Sequence, residues 1–199
     1  MAVALLLAAL AASTPDEMAR PTLVLAQRRE SVDLLPKPES PTAAAIARQR
    51  ELERQLAKRR TLLLYHQIGG FLTVGSLTAT AVLGQLDYHD KYGGGGDVGT
   101  YRAWHRWVAA GSSAIFAGTA ALAILAPVPV EKPPAFDTAT VHKIAMTVAA
   151  AGMVTQIVLG IVTASKEGQY SQRDFALAHQ IIGYATLGAT LTGFTVLTF

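Results

Sequence analysis

Thr61–Leu86 reads TLLLYHQIGGFLTVGSLTATAVLGQL, a run with no charged side chain and one histidine, His66, near its start. A helix crossing a hydrocarbon core of about 30 Å needs about 20 apolar residues at about 1.5 Å each. This stretch is therefore long enough to span. Helix is the expected form, because a bilayer offers no water to exposed backbone groups. Three further runs have the same character: Ala103–Ala126, Ala139–Ser165 and Phe175–Phe199. The connections after the second and third runs are short, which sets neighbouring helices antiparallel. The expected fold class is an all-α membrane protein, an up-down four-helix transmembrane bundle.

Composition points the same way. Hydrophobic residues make up 51% of the chain and charged residues only 16%. There is no cysteine, which excludes disulfides, iron–sulfur clusters, thiolate zinc sites and haem attached through Cys-x-x-Cys-His. The net charge of +3 hides an asymmetry, since ten of the 17 Lys and Arg residues precede Thr61. This basic segment suits anionic lipid headgroups. It is not interleaved with aromatics and belongs to no DNA-binding module, so no nucleic-acid partner is expected.

Residues 1–13 are expected to be a signal peptide. Ala2–Ala12 is an apolar stretch too short to span, followed by Ser13 and other small or polar residues. Residues 14–60 are expected to be a proline-rich linker and a basic helical tail. Pro15, Pro21, Pro36, Pro38 and Pro41 mark the linker. Thr42 is placed to cap a helix that runs on into the first membrane segment, with Glu51 and Arg54 spaced to pair. Residues 61–199 form the transmembrane domain.

Each apolar run carries one histidine near its N-terminal end: His66, His105, His142 and His179, spaced 39, 37 and 37 apart. Ionisable groups in membrane helices are costly and mark function by default. Alternating helix direction puts His66 and His142 at one depth and His105 and His179 near the opposite face. Each pair comes from diagonally placed helices, with a gap wide enough for a flat macrocycle. The expected cofactors are two non-covalent b-type haems, each held by two histidines, which suits electron transfer rather than oxygen activation. The vertical offset is on the order of 20–27 Å. Stepping by three or four from each histidine gives mainly small residues, such as Gly70, Thr73, Ser112, Ala149, Gly183 and Thr186. Arg106 and Lys143 directly follow two of the histidines and suit anionic haem propionates. They equally suit interfacial anchoring beside Trp104, Trp107 and Tyr65.

Two other features read as ordinary. Gly93–Gly96 and Gly99 lack the Lys and Ser/Thr of a phosphate loop and read as a flexible connector. His89 lies between Asp87 and Asp90 and reads as a surface histidine in that connector.

The four-histidine pattern resembles the cytochrome b561 family across about Thr61–Phe199. The resemblance implies a core of four helices, with His66 and His142 holding one haem and His105 and His179 the other. The family usually has one further helix on either side of the core, and neither is expected from this sequence. No Ser-Leu-His-Ser-Trp type motif surrounds His142, and no ascorbate-site motif is recognisable, so ascorbate as donor does not carry over.

The leading expectation is transmembrane electron transfer, either between small carriers or as the anchor of a soluble or membrane redox partner. Donor and acceptor are unnamed by the sequence, and whether the chain is an enzyme in its own right is open. A second reading is a metal or proton transporter that uses the histidines. A third is a cofactor-free structural subunit whose basic tail docks a partner. The expected location is a bacterial cytoplasmic membrane, in contact with lipid. The signal-like start and the loop charges favour an exported N-terminus, against the basic residues Arg48–Arg60.

Overall fold

The computed structural model describes residues 42–130, 133 and 135–198. The signal-peptide and linker expectations, which fall on residues 1–41, lie outside the described residues. Four helices follow in order: α1 (Ala43–Tyr92), α2 (Thr100–Ile124), α3 (Thr138–Ser165) and α4 (Gln172–Thr198). All four are long and apolar enough to cross a membrane. The fold is an all-α four-helix bundle, and the chain is an integral membrane protein whose helices meet lipid.

The chain divides into two compact units, Met1–Ala47 and Arg48–Phe199. Of the first, the described residues are the opening of α1. There Thr42 Oγ1 accepts from the Ala45 amide at 3.3 Å, and the Thr42 carbonyl accepts from the Ile46 amide at 3.0 Å. The second unit holds the bundle. On its basic stretch, Glu51 and Arg54 approach to 3.5 Å on an exposed face. The Arg59 guanidinium donates to the Pro127 carbonyl at 2.8 Å.

The bundle interior is small and polar, and its exterior is large and apolar. Thr73, Ser112, Thr119, Thr186, Thr190 and Ala149 are buried, while Phe71, Leu72, Ile144, Val148, Val154 and Ile161 are exposed. A lipid exterior explains both halves. Tails are as apolar as leucine, so helix contact gains by close backbone approach at small residues rather than by hiding large ones. The hydroxyls stay satisfied inside the helices: those of Thr78, Thr147, Thr155, Thr186 and Thr190 donate to carbonyls four residues back.

Leu77, Phe116, Ala149 and Met153 form the core cluster, with Met146, Leu187 and Ala189 packed against it. Leu77, Phe116 and Met153 each lie about three turns past the histidine of their own helix. Because α2 runs opposite to α1 and α3, Leu77 lies three residues from Thr80 at the His105–His179 level and Phe116 three residues from Thr119 at the His66–His142 level, so the cluster spans the interval between the two levels. Between α1 and α4, Gln85 Oε1 accepts from both Gln180 and Tyr184. Near the other end, Phe71 meets Phe194 edge-on at 4.9 Å.

The glycine-rich connector is shorter and more tightly tied than the sequence suggests. Asp87-Tyr88-His89-Asp90-Lys91-Tyr92 contains no helix breaker, so α1 runs on to Tyr92. His89 therefore lies on the last turn of a helix, exposed, rather than in the loop. Asp90 is buried and accepts from the amides of Val98 (3.3 Å) and Gly99 (2.7 Å). Gly94, Gly96 and Gly99 take positive φ to fold the chain back around it. Asp90→Ala leaves those two amides unpaired and is expected to cost about 1–3 kcal/mol. A thermal melt followed by circular dichroism in detergent measures it, and an unchanged melt would show that solvent replaces the carboxylate.

Candidate functional site

The four histidines form two facing pairs. The rings of His66 on α1 and His142 on α3 have centres 6.0 Å apart and planes at 87°. Those of His105 on α2 and His179 on α4 have the same separation, 6.0 Å, and the same angle, 87°. The structure thus brings together the two pairs that helix alternation predicts, at opposite ends of the bundle. The offset between the levels can be read along α1, from His66 to Thr80, which His105 contacts. It is about four turns, or about 21 Å of helix.

Three of the rings are pinned by backbone carbonyls. His66 Nδ1 meets the Thr119 carbonyl at 2.8 Å, His105 Nδ1 the Thr80 carbonyl at 3.1 Å, and His142 Nδ1 the Gly193 carbonyl at 2.7 Å. A carbonyl only accepts, so each Nδ1 carries the proton. The neutral ring then has its lone pair on Nε2. This is how a protein orients an imidazole as a metal ligand and raises its basicity.

His179 differs. Its Nδ1 is buried with no hydrogen-bond partner among the described residues, and the Gln156 side chain donates instead to the His179 backbone carbonyl. The cause lies in the facing helix. A Cβ at Gly84 would meet His105 Cε1 at 2.8 Å and Nδ1 at 3.1 Å, whereas at Gly160 the same contacts to His179 are 3.4 and 3.9 Å. The His179 ring stands further from α3 and does not reach a carbonyl there.

These correspondences expose a repeat that the sequence carries only faintly. His66, Thr80 and Gly84 on α1 recur, at unchanged spacing, as His142, Gln156 and Gly160 on α3. His105 and Thr119 on α2 recur in the same way as His179 and Gly193 on α4. The bundle is two copies of one hairpin, and each copy contributes one histidine to each pair.

The His105–His179 pair opens into a cavity of about 510 Å³, within the range of about 300–1,000 Å³ common for ligand pockets. Gly84, Gly160 and Gly183 line it beside both rings. All four buried polar atoms that lack a hydrogen-bond partner among the described residues belong to residues of this cavity: Asp87 Oδ1, Tyr92 Oη, Thr163 Oγ1 and His179 Nδ1. Buried polar groups are normally paired; Asp87 Oδ1 has Arg102 Nε at 3.9 Å, so Tyr92 Oη, Thr163 Oγ1 and His179 Nδ1 are the three that point to a missing polar partner.

Charge closes the outer end. Arg102 pairs with Asp97 (2.6 Å), Glu167 (2.9 Å) and Asp87 (3.9 Å), and Lys91 pairs with Glu167 (3.3 Å). Glu167, on the loop after α3, is held below the ordinary glutamate range by the hydrogen bond and charge of Lys91, with Arg102 adding to it. Arg106 lines the same cavity and has no ion-pair partner among the described residues. Lys143 follows His142 on α3 and is exposed, with its ammonium unpaired among the described residues. Trp104 and Trp107 are exposed toward one end of the bundle and Tyr65 toward the other.

No family model, no curated protein and no solved structure matches this chain. The site is therefore read from its own geometry.

That geometry fits a metal held between two imidazoles. With metal–nitrogen bonds of about 2 Å and each nitrogen about 1 Å from its ring centre, the centres are expected about 6 Å apart. Both pairs have that separation. Among the described residues, no three of His, Cys, Asp or Glu converge on one point. Two imidazoles alone leave a bare ion short of ligands. A macrocycle that brings its own four nitrogens needs only the two axial ones.

Tyr92 and Thr163 escape a reading based on sequence. A tyrosine and a threonine in the last turn of a helix are common, and only the missing partner distinguishes them.

Proposed function

We propose that this chain is a di-haem b-type cytochrome that moves electrons across a membrane, with His66 and His142 holding one haem and His105 and His179 the other. The observation that carries the reading is the pair of matched ring geometries at opposite ends of a membrane bundle. When bound, haem iron supplies reversible one-electron exchange, and with imidazole on both faces it offers no open position for oxygen.

The chain's own residues do the rest. The carbonyls of Thr119, Thr80 and Gly193 fix three rings through Nδ1, which leaves Nε2 of each as the nitrogen available to a metal. Gly84 leaves room for His105 to reach Thr80. The cluster of Leu77, Phe116, Ala149 and Met153 puts apolar side chains between the two levels. Arg106 and Lys143 offer positive charge beside each pair. The similarity to the cytochrome b561 family noted from the histidine pattern is compatible with this reading. A bacterial cytoplasmic membrane and an exported N-terminus remain part of the proposal.

A visible spectrum of detergent-purified protein, oxidised and dithionite-reduced, tests it, with haem quantified per chain. The expected result is a sharp reduced α-band of b-type and about two haems per chain, one per bis-histidine pair. Protein made with ample haem that shows no Soret band ends the cytochrome reading and favours a transporter or a scaffold.

A further inference from the structure

One bond between paired helices runs backwards in the second hairpin. In the first, the His105 ring on α2 donates to the Thr80 carbonyl on α1. The matching positions of the second are His179 on α4 and Gln156 on α3. There the Gln156 carboxamide donates to the His179 carbonyl instead. At the other histidine level both hairpins keep one direction, with His66 donating to Thr119 and His142 to Gly193. The exception falls where the carbonyl belongs to the one long side chain among Thr80, Thr119, Gly193 and Gln156.

Side-chain length explains the reversal. The Thr80 hydroxyl turns back along its own helix, donating to the Ser76 carbonyl at 2.8 Å, and meets Ser112 Oγ at 2.8 Å. The Thr80 carbonyl is left to the ring of His105. Gln156 crosses to α4, where a Cβ added at Gly183 would stand 3.3 Å from its Nε2. A second carboxamide repeats the tie in the same register: Gln172 Nε2 on α4 donates to the Thr163 carbonyl on α3 at 3.2 Å. Thr163 is seven residues from Gln156, and Gln172 is seven from His179. The counterparts of the two glutamines in the first hairpin are Thr80 and Val98, neither with a carboxamide. With α4 clamped in this way, the His179 ring stays clear of α3, and its buried Nδ1 meets no acceptor among the described residues.

We propose that Gln156 is a positioning residue that withholds a backbone carbonyl from His179 and so raises the midpoint potential of the haem at the His105–His179 pair. The inference rests on the haem reading above. A ring whose Nδ1–H donates to a carbonyl is a more basic ligand at Nε2. A more basic axial ligand favours oxidised iron and lowers the potential, and hydrogen bonding behind the ligand is one of the means by which a protein sets it. His66 and His142 both have that bond, whereas this pair has it only at His105. Electrons therefore favour the His105–His179 end more than they would with the carbonyl in place. In a transfer between the two levels, the electron that one haem loses is the one the other gains, and Gln156 adds driving force in that direction.

The test uses the full-length chain in detergent, with isotopically labelled histidine, loaded with haem and reduced. NMR is expected to show three ring N–H protons deshielded by a hydrogen bond, from His66, His105 and His142, and one from His179 that is not. Gln156→Thr puts the first hairpin's residue into the second. It is expected to deshield the His179 proton and to lower the midpoint of this haem, read alone in a parallel chain carrying His66→Ala. The scale is about tenfold in oxidised over reduced haem at a fixed potential, or about 59 mV for one electron. Gln156→Ala is also short, is expected to shift both readouts the same way, and stands in if the threonine variant loses its helix content by circular dichroism. A His179 proton already deshielded in the unaltered chain overturns the proposal. So does a midpoint that stays or rises in a folded variant. Protein with no Soret band ends the cytochrome reading and the midpoint claim with it, and the ring protons then decide alone whether Gln156 withholds the carbonyl.

Discussion

On the di-haem reading proposed above, replacing His142 by alanine is expected to halve the haem content, from about two per chain to about one. It should also stop electron flow from one face of a liposome to the other. The reason is geometric. The ring centres of His142 and His66 are 6.0 Å apart, so a haem held between them would lose one of its two protein ligands when either ring is removed. The remaining ring is still pinned, His66 by Thr119, but it would have to hold the haem alone. His66→Ala should therefore give the same spectrum as His142→Ala. The double change within the pair should add almost nothing, because residues that act as a unit are non-additive. His66→Ala with His105→Ala breaks both pairs and should lose all haem. Haem quantification reads the stoichiometry, and oxidant trapped inside vesicles, with reductant added outside, reads the flow. If His66→Ala and His142→Ala removed haem additively, each histidine would be binding alone and the paired reading would fall.

The helices are legible in the sequence because an uncharged run as long as Thr61–Leu86 leaves length and hydropathy little choice. The pairing is legible because four helices that alternate in direction can bring only alternate histidines to one level. Contacts to the backbone are not. Thr80, Thr119 and Gly193 hold histidines through their carbonyls, which every residue has, so nothing in their side chains announces the role. The loop at Gly93–Gly99 shows the same limit. Its glycines announce a turn, but Asp90, which ties the turn down, looks like any surface acid. The hairpin repeat is closer to hand. His66 and Gly84 have the same separation along α1 as His142 and Gly160 along α3. That equal spacing is a usable sign that a glycine faces each histidine of the second pair.

Those two glycines yield the sharpest contrast among single substitutions. Gly84→Ala places a methyl 2.8 Å from His105 Cε1 and 3.1 Å from Nδ1, closer than carbon atoms pack, at about 3.5–4.0 Å. The ring has little freedom to yield, because its Nδ1 is bonded to the Thr80 carbonyl one turn below on the same helix as the new methyl. Retreat breaks that bond and changes the ring's placement against His179. The expected result is loss of the haem proposed for His105 and His179, with the one proposed for His66 and His142 retained and the helix content unchanged. Gly160→Ala is the matched control. Its methyl would meet His179 Cε1 at 3.4 Å, at the edge of ordinary contact, and that ring makes no carbonyl bond to lose. It should keep both haems and at most shift one midpoint potential. The two substitutions have the same chemistry and occupy equivalent places in the repeat, so propensity and general packing effects cancel. Potentiometric titration of each variant in detergent separates the two haems. A full two-haem titration in Gly84→Ala would show that His105 needs no close approach to α1, and the pinning argument would fail with it.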